Sequence, residues 1–480
     1  MNFFLKKIFK RNIIKNMSYV AGASFVAQGI NIVILPLLSR IYSPSDFGIL
    51  SVYTSVVGIL TMFTGLRYYL AIPLPKQEKY ARALLYVTSV AHCVFVFMLF
   101  VFAYFVGDYI LDKIHLSSLQ PYLYLIPFGV FVTGAYTIAT QWAVREGFFS
   151  TIGWTRILQA ICGNGAKLAL GIIGCKPMGL LLGAVVAQGC GSSGIFRASI
   201  KKKSLKFTLS RTDIKRSVIK YRNFPIYDMW TAVINVVGQN MPQLFLSFYY
   251  SLNTVGFYTM AVSLLSLPIS IVGAAVGQVF VQRGAQAKYD GTLASFSEKS
   301  YRIMLTLSMY PIIALSLLAP IIFSFFLGTQ WEKSGLYAIV LSPKVAYSMT
   351  YSPLCMLYAI GGRIKQSFYH EILLTLVMLC GLYLGSSWNN PTFSVLVYSL
   401  FSLVIMIWRI AYILSDIGIE RYKVLRITFS VFMEAACLLF LPSIMLLFNY
   451  KSLCTVLFWI VSGIIFVCYN YYKFCKRHIL

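Results

Sequence analysis

Charged and amide side chains occur at helical spacing inside stretches of the sequence that are otherwise apolar. Arg156 and Lys167 are 11 residues apart, which is close to three turns of an α-helix, so they share one helix face. Asp228, Asn235 and Gln239 repeat this pattern in a later stretch. Because an ionised side chain that faces lipid is costly, these faces are predicted to point into a helix bundle or a water-filled cavity.

Other apolar stretches carry further polar groups on such faces: Gln28, Asn31, Gln141, Lys344 and Tyr347. Lys167 and Lys344 lie well inside their stretches, with no acidic residue one turn away, and both are predicted to line a central cavity. Two alternatives stay open for the other charges. Arg156 lies near the end of its stretch, where it could extend to the membrane interface, and Asp228 could cap a helix.

The chemistry that these groups support is recognition of an anionic, hydroxyl-rich molecule. Arg and Lys bind phosphate, whereas amides and aromatic rings bind sugars. The sequence contains no glycine-rich phosphate loop and no recognisable set of paired carboxylates or Ser, His and Asp, so no catalytic residue is predicted. With four His and 14 acidic residues, most of them in loops, it also argues against a metal site, and no cofactor is expected.

The composition places these residues in a membrane. Of the 480 residues, 59% are hydrophobic and 11% are charged, which is more apolar surface than a soluble protein buries. Fourteen apolar stretches approach or exceed the length of about 20 residues that crosses a bilayer. Their limits are 17–39, 48–66, 83–106, 122–144, 153–175, 179–197, 224–249, 258–280, 302–327, 336–360, 367–386, 392–414, 427–447 and 452–472. The sequence therefore predicts an all-α polytopic membrane protein with 14 transmembrane helices.

Lys and Arg are distributed unequally between the two sides of these spans. With the N-terminus placed inside, 34 of the 41 basic residues fall in inside segments and five in outside loops. Cytoplasmic loops of membrane proteins carry such an excess, so both termini are predicted to be cytoplasmic. Topology accounts in this way for the net charge of +27, and no nucleic-acid partner is expected.

A basic segment divides the chain, and related motifs recur on either side of it. The turns Ser43–Gly48 and Ser251–Gly256 each join two spans, which indicates two repeats of six helices. An even number of spans gives both repeats the same orientation, so their pseudo-twofold axis is predicted to run along the membrane normal. The predicted domains are an N-terminal six-helix lobe at 1–197, a basic cytoplasmic linker at 198–223, a C-terminal six-helix lobe at 224–414, and two additional helices with a cytoplasmic tail at 415–480.

Two motifs near the N-terminus point to a family. Residues 35–60 read LPLLSRIYSPSDFGILSVYTSVVGIL, and residues 66–76 read LRYYLAIPLPK. They resemble the N-terminal signature of Wzx-type flippases, the O-antigen and capsule repeat-unit translocases in the polysaccharide-export branch of the MOP superfamily. The matching positions are Arg40, Pro44, Phe47, Gly48, Arg67, Tyr68 and Pro75. One position departs from the pattern, because members commonly have an acidic residue where this chain has Tyr69.

The resemblance implies a MATE-like fold of two lobes in the bacterial inner membrane. It also implies alternating-access transport of an undecaprenyl-diphosphate-linked oligosaccharide from the cytoplasmic to the periplasmic leaflet, for O-antigen or another surface polysaccharide. Membrane lipids, a polysaccharide polymerase and a chain-length regulator are the implied partners. Arg67, Arg156, Lys167 and Lys344 would contact the diphosphate. Asp228 or Glu371 could replace the missing carboxylate in coupling to H⁺ or Na⁺.

Two other functions remain as alternatives at this point. A multidrug exporter of the same superfamily would need buried carboxylates to hold a cation, and the spans contain only Asp228, Glu371 and Glu434. An integral-membrane polysaccharide polymerase also has many spans. Such enzymes usually carry a large periplasmic loop, whereas the longest outside loop predicted here is 107–121.

Overall fold

The computed structural model describes residues 2–113, 116–201, 210–361, 363–447 and 453–476, and within these ranges every regular element is a helix. Its 14 long helices are α1 (Asn2–Ile41), α2 (Pro44–Thr61), α3 (Glu78–Phe102), α4 (Leu125–Glu146), α5 (Phe149–Ile172), α6 (Met178–Lys201), α7 (Met229–Tyr249), α8 (Leu252–Tyr289), α9 (Leu293–Leu317), α10 (Glu332–Leu354), α11 (Ile364–Ser386), α12 (Pro391–Asp416), α13 (Arg421–Leu447) and α14 (Leu453–Lys476). The predicted all-α polytopic membrane fold is confirmed.

Each of the 14 long helices overlaps one predicted span. Among the described residues, seven helices are long and apolar enough to cross a membrane by length and composition alone. The number becomes eight if α2 and the short helix Thr64–Ala71 that follows it form one bent span. Membrane crossing by all 14 helices stays a prediction.

Three predicted spans are interrupted. The span predicted at 48–66 ends with α2, and the short 3₁₀ helix Thr64–Ala71 continues at an angle of 62°. The span predicted at 302–327 is divided between α9 and a second helix, Ala319–Leu327. Pro320 lies next to this division, and proline both lacks a backbone N–H and clashes with the preceding turn of a helix. The span predicted at 336–360 is divided between α10 and Leu357–Ile360.

The start of α2 illustrates how local sequence sets a helix end. The Ser43 hydroxyl accepts a hydrogen bond from the backbone N–H of Asp46, and the Asp46 carboxylate accepts one from the backbone N–H of Ser43 at 2.8 Å. Pro44 occupies the first turn, where its missing N–H costs nothing. This reciprocal arrangement is a capping box.

The chain forms two compact units. Unit 1 comprises residues 1–259 and 326–330, and unit 2 comprises 260–325 and 331–480. In unit 1, α5 packs against α1 and α6, α4 against α3 and α6, and α2 against α4 and α7. In unit 2, α12 packs against α10 and α11, and α13 against α9 and α14. A six-helix lobe is a set of helices that moves as one body, whereas the two compact units are groups of residues in close contact. The boundaries of the predicted six-helix lobes stay a prediction.

Part of the predicted basic linker is helical. Residues 202–209 lie outside the described residues, but Arg211–Lys220 forms a helix that packs against α3. Asp213 of this helix pairs with Lys79 at 3.5 Å. Most of its cations are exposed, among them Lys215 and Arg216.

The two repeat motifs meet each other within unit 1. A Cβ atom built on Gly48 would lie 2.0 Å from the carbonyl oxygen of Leu252, and one built on Gly256 would lie 1.8 Å from the carbonyl oxygen of Pro44. These contacts are reciprocal, because Gly256 and Leu252 are the equivalents of Gly48 and Pro44 in the second repeat. Reciprocal contacts of this kind are produced by a twofold axis. We call this contact the glycine crossing.

A hydrogen bond marks the axis itself. The Thr259 hydroxyl donates to the Ser51 hydroxyl at 2.8 Å, and these two residues are 208 positions apart, as Gly48 and Gly256 are. Equivalent residues can contact each other only close to the symmetry axis. The internal repeat predicted from the sequence is therefore a local twofold relation between the starts of α2 and α8.

We expect Gly48→Ala to destabilise the protein, because its Cβ would overlap a backbone carbonyl that cannot rotate away. Overpacking of this kind typically costs about 1–3 kcal/mol. The matched control is Gly58→Ala on the same helix, where no atom lies within 4 Å of the added methyl. Thermal unfolding of the detergent-solubilised variants measures the difference. Equal melting temperatures for the two variants would contradict the glycine crossing.

Candidate functional site

The backbone around Arg67 has an unusual conformation. Gly65, Leu66 and Arg67 have φ angles of 52°, 50° and 59°, which is the left-handed region. Residues other than glycine rarely adopt this region, and they persist there where surrounding structure fixes them. The turn directs the chain away from the axis of α2, and Arg67 is the last of its three left-handed residues.

Arg67 pairs with Asp228. Its Nε donates to the Asp228 carboxylate at 2.6 Å, and a second guanidinium nitrogen donates to the Tyr69 hydroxyl at 3.2 Å. The Arg67 side chain is 14% exposed and that of Asp228 is 42% exposed. Asp228 precedes α7, but its side chain makes no capping hydrogen bond, so the capping alternative is wrong. The Asp228 carboxylate and the Tyr69 hydroxyl thus bind the same guanidinium. Members that the chain resembles commonly have an acidic residue at the sequence position of Tyr69.

Polar residues of α1 and α5 face each other, among them the predicted Asn31 and Arg156. The Asn164 side chain donates to the Asn31 side chain at 2.7 Å, and Arg156 donates to the Ser24 hydroxyl. Gln28 lies half-buried on the same helix as Ser24, one turn away. The two helices therefore present one shared polar surface, which we call the α1–α5 face.

Lys167 belongs to the second half of α5. The Tyr42 hydroxyl donates to its backbone carbonyl at 2.7 Å, and burial raises the pKa of that phenol, so it remains a donor. The aliphatic stem of Lys167 packs against Gly183 of α6. Among the described residues its ammonium group makes no ion pair and no hydrogen bond. An unneutralised cation inside an apolar helix is the feature that an anionic ligand would compensate.

The remaining unit 1 candidates are less closely connected. On α7, the Gln239 side chain donates to the Asn235 side chain at 2.7 Å, one turn apart on the same helix face. On α4, Gln141 is half-buried. The structure brings neither group into hydrogen-bond contact with the α1–α5 face among the described residues.

Two unit 2 candidates have partners within that unit. The Lys344 ammonium donates to the Tyr398 hydroxyl and lies 4.2 Å from the centroid of the Tyr398 ring. Tyr347 is completely buried, and its hydroxyl lies 3.2 Å from that of Tyr301. In this conformation Tyr347 is a core residue, and its contact with a substrate stays a prediction.

One buried arginine in unit 2 is not among the site residues that the sequence predicts. Arg409 on α12 is 2% exposed. Its guanidinium pairs with the Glu371 carboxylate, donates to the Tyr351 hydroxyl at 2.6 Å, and lies 5.2 Å from the centroid of the Tyr358 ring. Its position about two turns from the end of α12 gives no signal of burial, because arginine there usually extends to the interface.

Similarity to known proteins identifies the family. Residues 37–335, more than half of the chain, match the polysaccharide biosynthesis protein family. The chain belongs to this family. It is also 24% identical over 354 residues to the succinoglycan biosynthesis transport protein ExoT of Rhizobium meliloti (strain 1021), with 69% of this chain and 67% of that protein aligned.

Solved structures show the same fold. The lipid II flippase MurJ in an inward closed conformation aligns with 99% of this chain and 100% of its own, with a TM-score of 0.66 and 14% identity. A Vibrio cholerae MATE transporter aligns with 85% of this chain and 96% of its own, with a TM-score of 0.56 and 11% identity. The fold of this family member is shared with these two transporters, and the chain is a multi-pass membrane protein.

Proposed function

We propose that the protein is a flippase that moves an undecaprenyl-diphosphate-linked oligosaccharide from the cytoplasmic to the periplasmic leaflet of the bacterial inner membrane, with both termini in the cytoplasm. The observation that carries this proposal is the unneutralised Lys167 ammonium on α5, the helix that also carries Arg156 and the amide of Asn164 on the α1–α5 face. Cations bind the diphosphate, and amide groups bind sugar hydroxyls. Family membership and the transport function of the aligned succinoglycan protein support the same substrate class.

The pairing of Arg67 with Asp228 suggests how a diphosphate would be bound and released. A phosphate oxygen arriving at Arg67 competes with the Asp228 carboxylate for the same guanidinium. When the diphosphate leaves, the carboxylate restores the ion pair, which keeps the empty site neutral. Asp228 therefore acts as an internal competitor, and its protonation by H⁺ or its binding of Na⁺ would couple an ion to transport.

The membrane potential favours the proposed direction. Moving one elementary charge across the membrane is worth roughly 2.3 kcal/mol per 100 mV. A diphosphate therefore gains free energy on leaving a cytoplasm that is negative inside. Lys167, Arg156 and, in unit 2, Lys344 would lower the cost of bringing this anion into the apolar part of the protein.

Multidrug export is the second candidate, because the fold is shared with a MATE transporter. Such an exporter would use carboxylates to bind a cationic drug. Asp228 is paired with Arg67, and Glu371 is paired with Arg409. A cationic drug would have to displace an arginine at either position, so the charge arrangement favours an anionic substrate.

We expect Lys167→Ala and Lys344→Ala to reduce surface polysaccharide, and the double variant to abolish it. The test is complementation of a deletion strain at matched expression, with the polymer followed on gels and the undecaprenyl-linked repeat units quantified in the inner membrane. Accumulation of single repeat units on the cytoplasmic face would support the flippase. Lys333→Ala is the matched control, because Lys333 is an exposed cation on the same helix as Lys344.

The outcomes separate the candidate functions. Normal polymer from the double variant would remove these two lysines from the substrate site. Normal polymer after deletion of the gene would overturn the flippase proposal, and increased drug susceptibility in that strain would favour the exporter.

A further inference from the structure

Unit 1 contains an apolar cavity that is separate from the α1–α5 face. It lies between α3, α4 and α6 and has a volume of about 340 Å³. Ala135 and Ala139 line it from α4, Tyr86 from α3 and Phe196 from α6. This volume is at the lower end of the roughly 300–1,000 Å³ that ligand pockets occupy. Tyr86 and Phe196 are 44% and 59% exposed, so the cavity opens at the surface of the unit.

Two buried ring nitrogens in the cavity wall have no partner among the described residues. His92 and Trp142 both line the cavity, and each is 2% exposed. The His92 Nε2 lies 3.0 Å from the Phe131 carbonyl, which can only accept, so Nε2 is the donor and Nδ1 is left unpaired. The Trp142 Nε1–H also lacks an acceptor. Unpaired buried polar groups are costly, so a ligand with polar atoms would be stabilised here.

Arginine side chains occur at one end of the cavity. Arg82 lies one turn before Tyr86 on the cavity-lining face of α3. Arg82 donates to Glu78, whose side chain is 55% exposed. Arg145, one turn beyond Trp142, is held by the Ile72 and Pro75 carbonyls.

These arginines mark the end of the cavity that the predicted topology places on the cytoplasmic side. The N-terminal end of α3 and the C-terminal ends of α4 and α6 lie on the same side of the spans, where the basic residues predominate. Basic pockets between transmembrane helices on the cytoplasmic side are typical sites for anionic lipid headgroups. An apolar cavity that continues inward from such a pocket matches the shape of a lipid.

We propose that the α3–α4–α6 cavity binds an anionic glycerophospholipid of the cytoplasmic leaflet, with one acyl chain in the cavity and the phosphate at Arg82 and Arg145. The acyl chain contacts Ala135, Ala139 and Phe196, and an ester oxygen accepts from the Trp142 indole. The bound lipid is a resident ligand of unit 1 and not the transported molecule. This inference does not depend on the proposed substrate.

The alternative occupant is the polyprenyl chain of the proposed substrate. Two observations favour the glycerophospholipid. The cavity accommodates one short hydrocarbon segment, and the polar residues of α4 that would accompany a transported glycan, Thr137 and Gln141, are not part of its lining. Occupation of the cavity by the polyprenyl chain is the alternative result of the experiment below.

The experiment uses the full-length protein in nanodiscs that contain phosphatidylglycerol with a diazirine on its acyl chain. After illumination, labelled peptides are identified by mass spectrometry. We expect labelling to concentrate on α3, α4 and α6 and to be displaced by unlabelled phosphatidylglycerol at least fivefold better than by phosphatidylcholine. Equal displacement by the two lipids, or stronger displacement by undecaprenyl phosphate, would overturn the proposal.

Two pairs of variants test the two parts of the site. Ala135→Phe should fill the cavity and reduce labelling at least fivefold, whereas Ser193→Phe on the exposed side of α6 should leave it unchanged. Arg82→Gln should remove the preference for phosphatidylglycerol, whereas Lys215→Gln should retain it. Size-exclusion profiles show that each variant is folded. Unchanged labelling of a folded Ala135→Phe protein would show that the lipid does not occupy this cavity.

Discussion

Replacement of Arg409 by Met is expected to cause a large loss of stability, about 3–5 kcal/mol, which is typical when one partner of a buried ion pair is removed. Arg409 is 2% exposed, and the Glu371 side chain that it neutralises is 28% exposed. Its loss leaves a carboxylate among apolar helices and also removes donors to Tyr351 and Ser367. Methionine retains most of the volume, so the effect reports charge and hydrogen bonding more than a cavity.

The double variant Arg409→Met with Glu371→Gln distinguishes this explanation from a general packing defect. It removes the uncompensated charge, so we expect it to recover at least half of the lost stability. Arg421→Met is the matched control, because Arg421 is exposed and such residues contribute only about 0–1 kcal/mol. The melting temperatures of these three variants, each compared with that of the unsubstituted protein in one detergent, provide the measurement. A double variant no more stable than Arg409→Met would show that Glu371 is not the group that Arg409 stabilises.

Arg67→Gln and Asp228→Asn are expected to change ligand binding in opposite directions. Arg67→Gln removes a charged donor to the diphosphate, and hydrogen bonds to charged groups are worth about 1.5–3 kcal/mol, so binding should weaken by about tenfold or more. Asp228→Asn removes the competing carboxylate, and the gain should not exceed about fivefold because exposed ion pairs contribute at most about 1 kcal/mol. Transport should nevertheless fall in both variants, because Arg67→Gln binds the diphosphate more weakly and Asp228→Asn releases it more slowly.

Binding of farnesyl diphosphate to the purified protein, measured by calorimetry, tests this pair. Asp213→Asn serves as the control, because Asp213 pairs with Lys79 and not with Arg67. Weaker binding in Asp228→Asn would contradict competition and would indicate that the carboxylate orients Arg67 for the ligand. Unchanged binding in Arg67→Gln would remove this arginine from the substrate site.

The long helices could be predicted from the sequence because the length of an apolar stretch is a local property. The interruptions depend on other parts of the chain. At Gly65–Arg67 two non-glycine residues hold left-handed backbone angles, which local preference opposes and the packed structure imposes. The repeat was visible as two serine–glycine turns, but the contact between them requires knowledge of how the two helices approach each other.

The candidate site shows the same division between local and long-range information. Helical spacing places Arg156 and Lys167 on one face, whereas the contacts of Arg156 with Ser24 and of Asn164 with Asn31 follow from packing of α5 on α1. The partnership of Arg67 with Asp228 joins residues 161 positions apart, so no spacing rule could indicate it. The sequence does not indicate that Arg409 is buried, because arginines near helix ends usually reach water. In the structure, residues of three neighbouring helices enclose Arg409.

The glycine crossing also determines where the chain tolerates insertions. The separation of 208 residues between Gly48 and Gly256 is not itself constrained, because the connecting linker can lengthen at little entropic cost. The separation of four residues between Pro44 and Gly48, and between Leu252 and Gly256, is fixed, because one added residue rotates the helix face by about 100°. Such an insertion would replace the hydrogen of glycine with a side chain at the point of contact. Length variation should therefore accumulate in the linker and be excluded from these two helical turns.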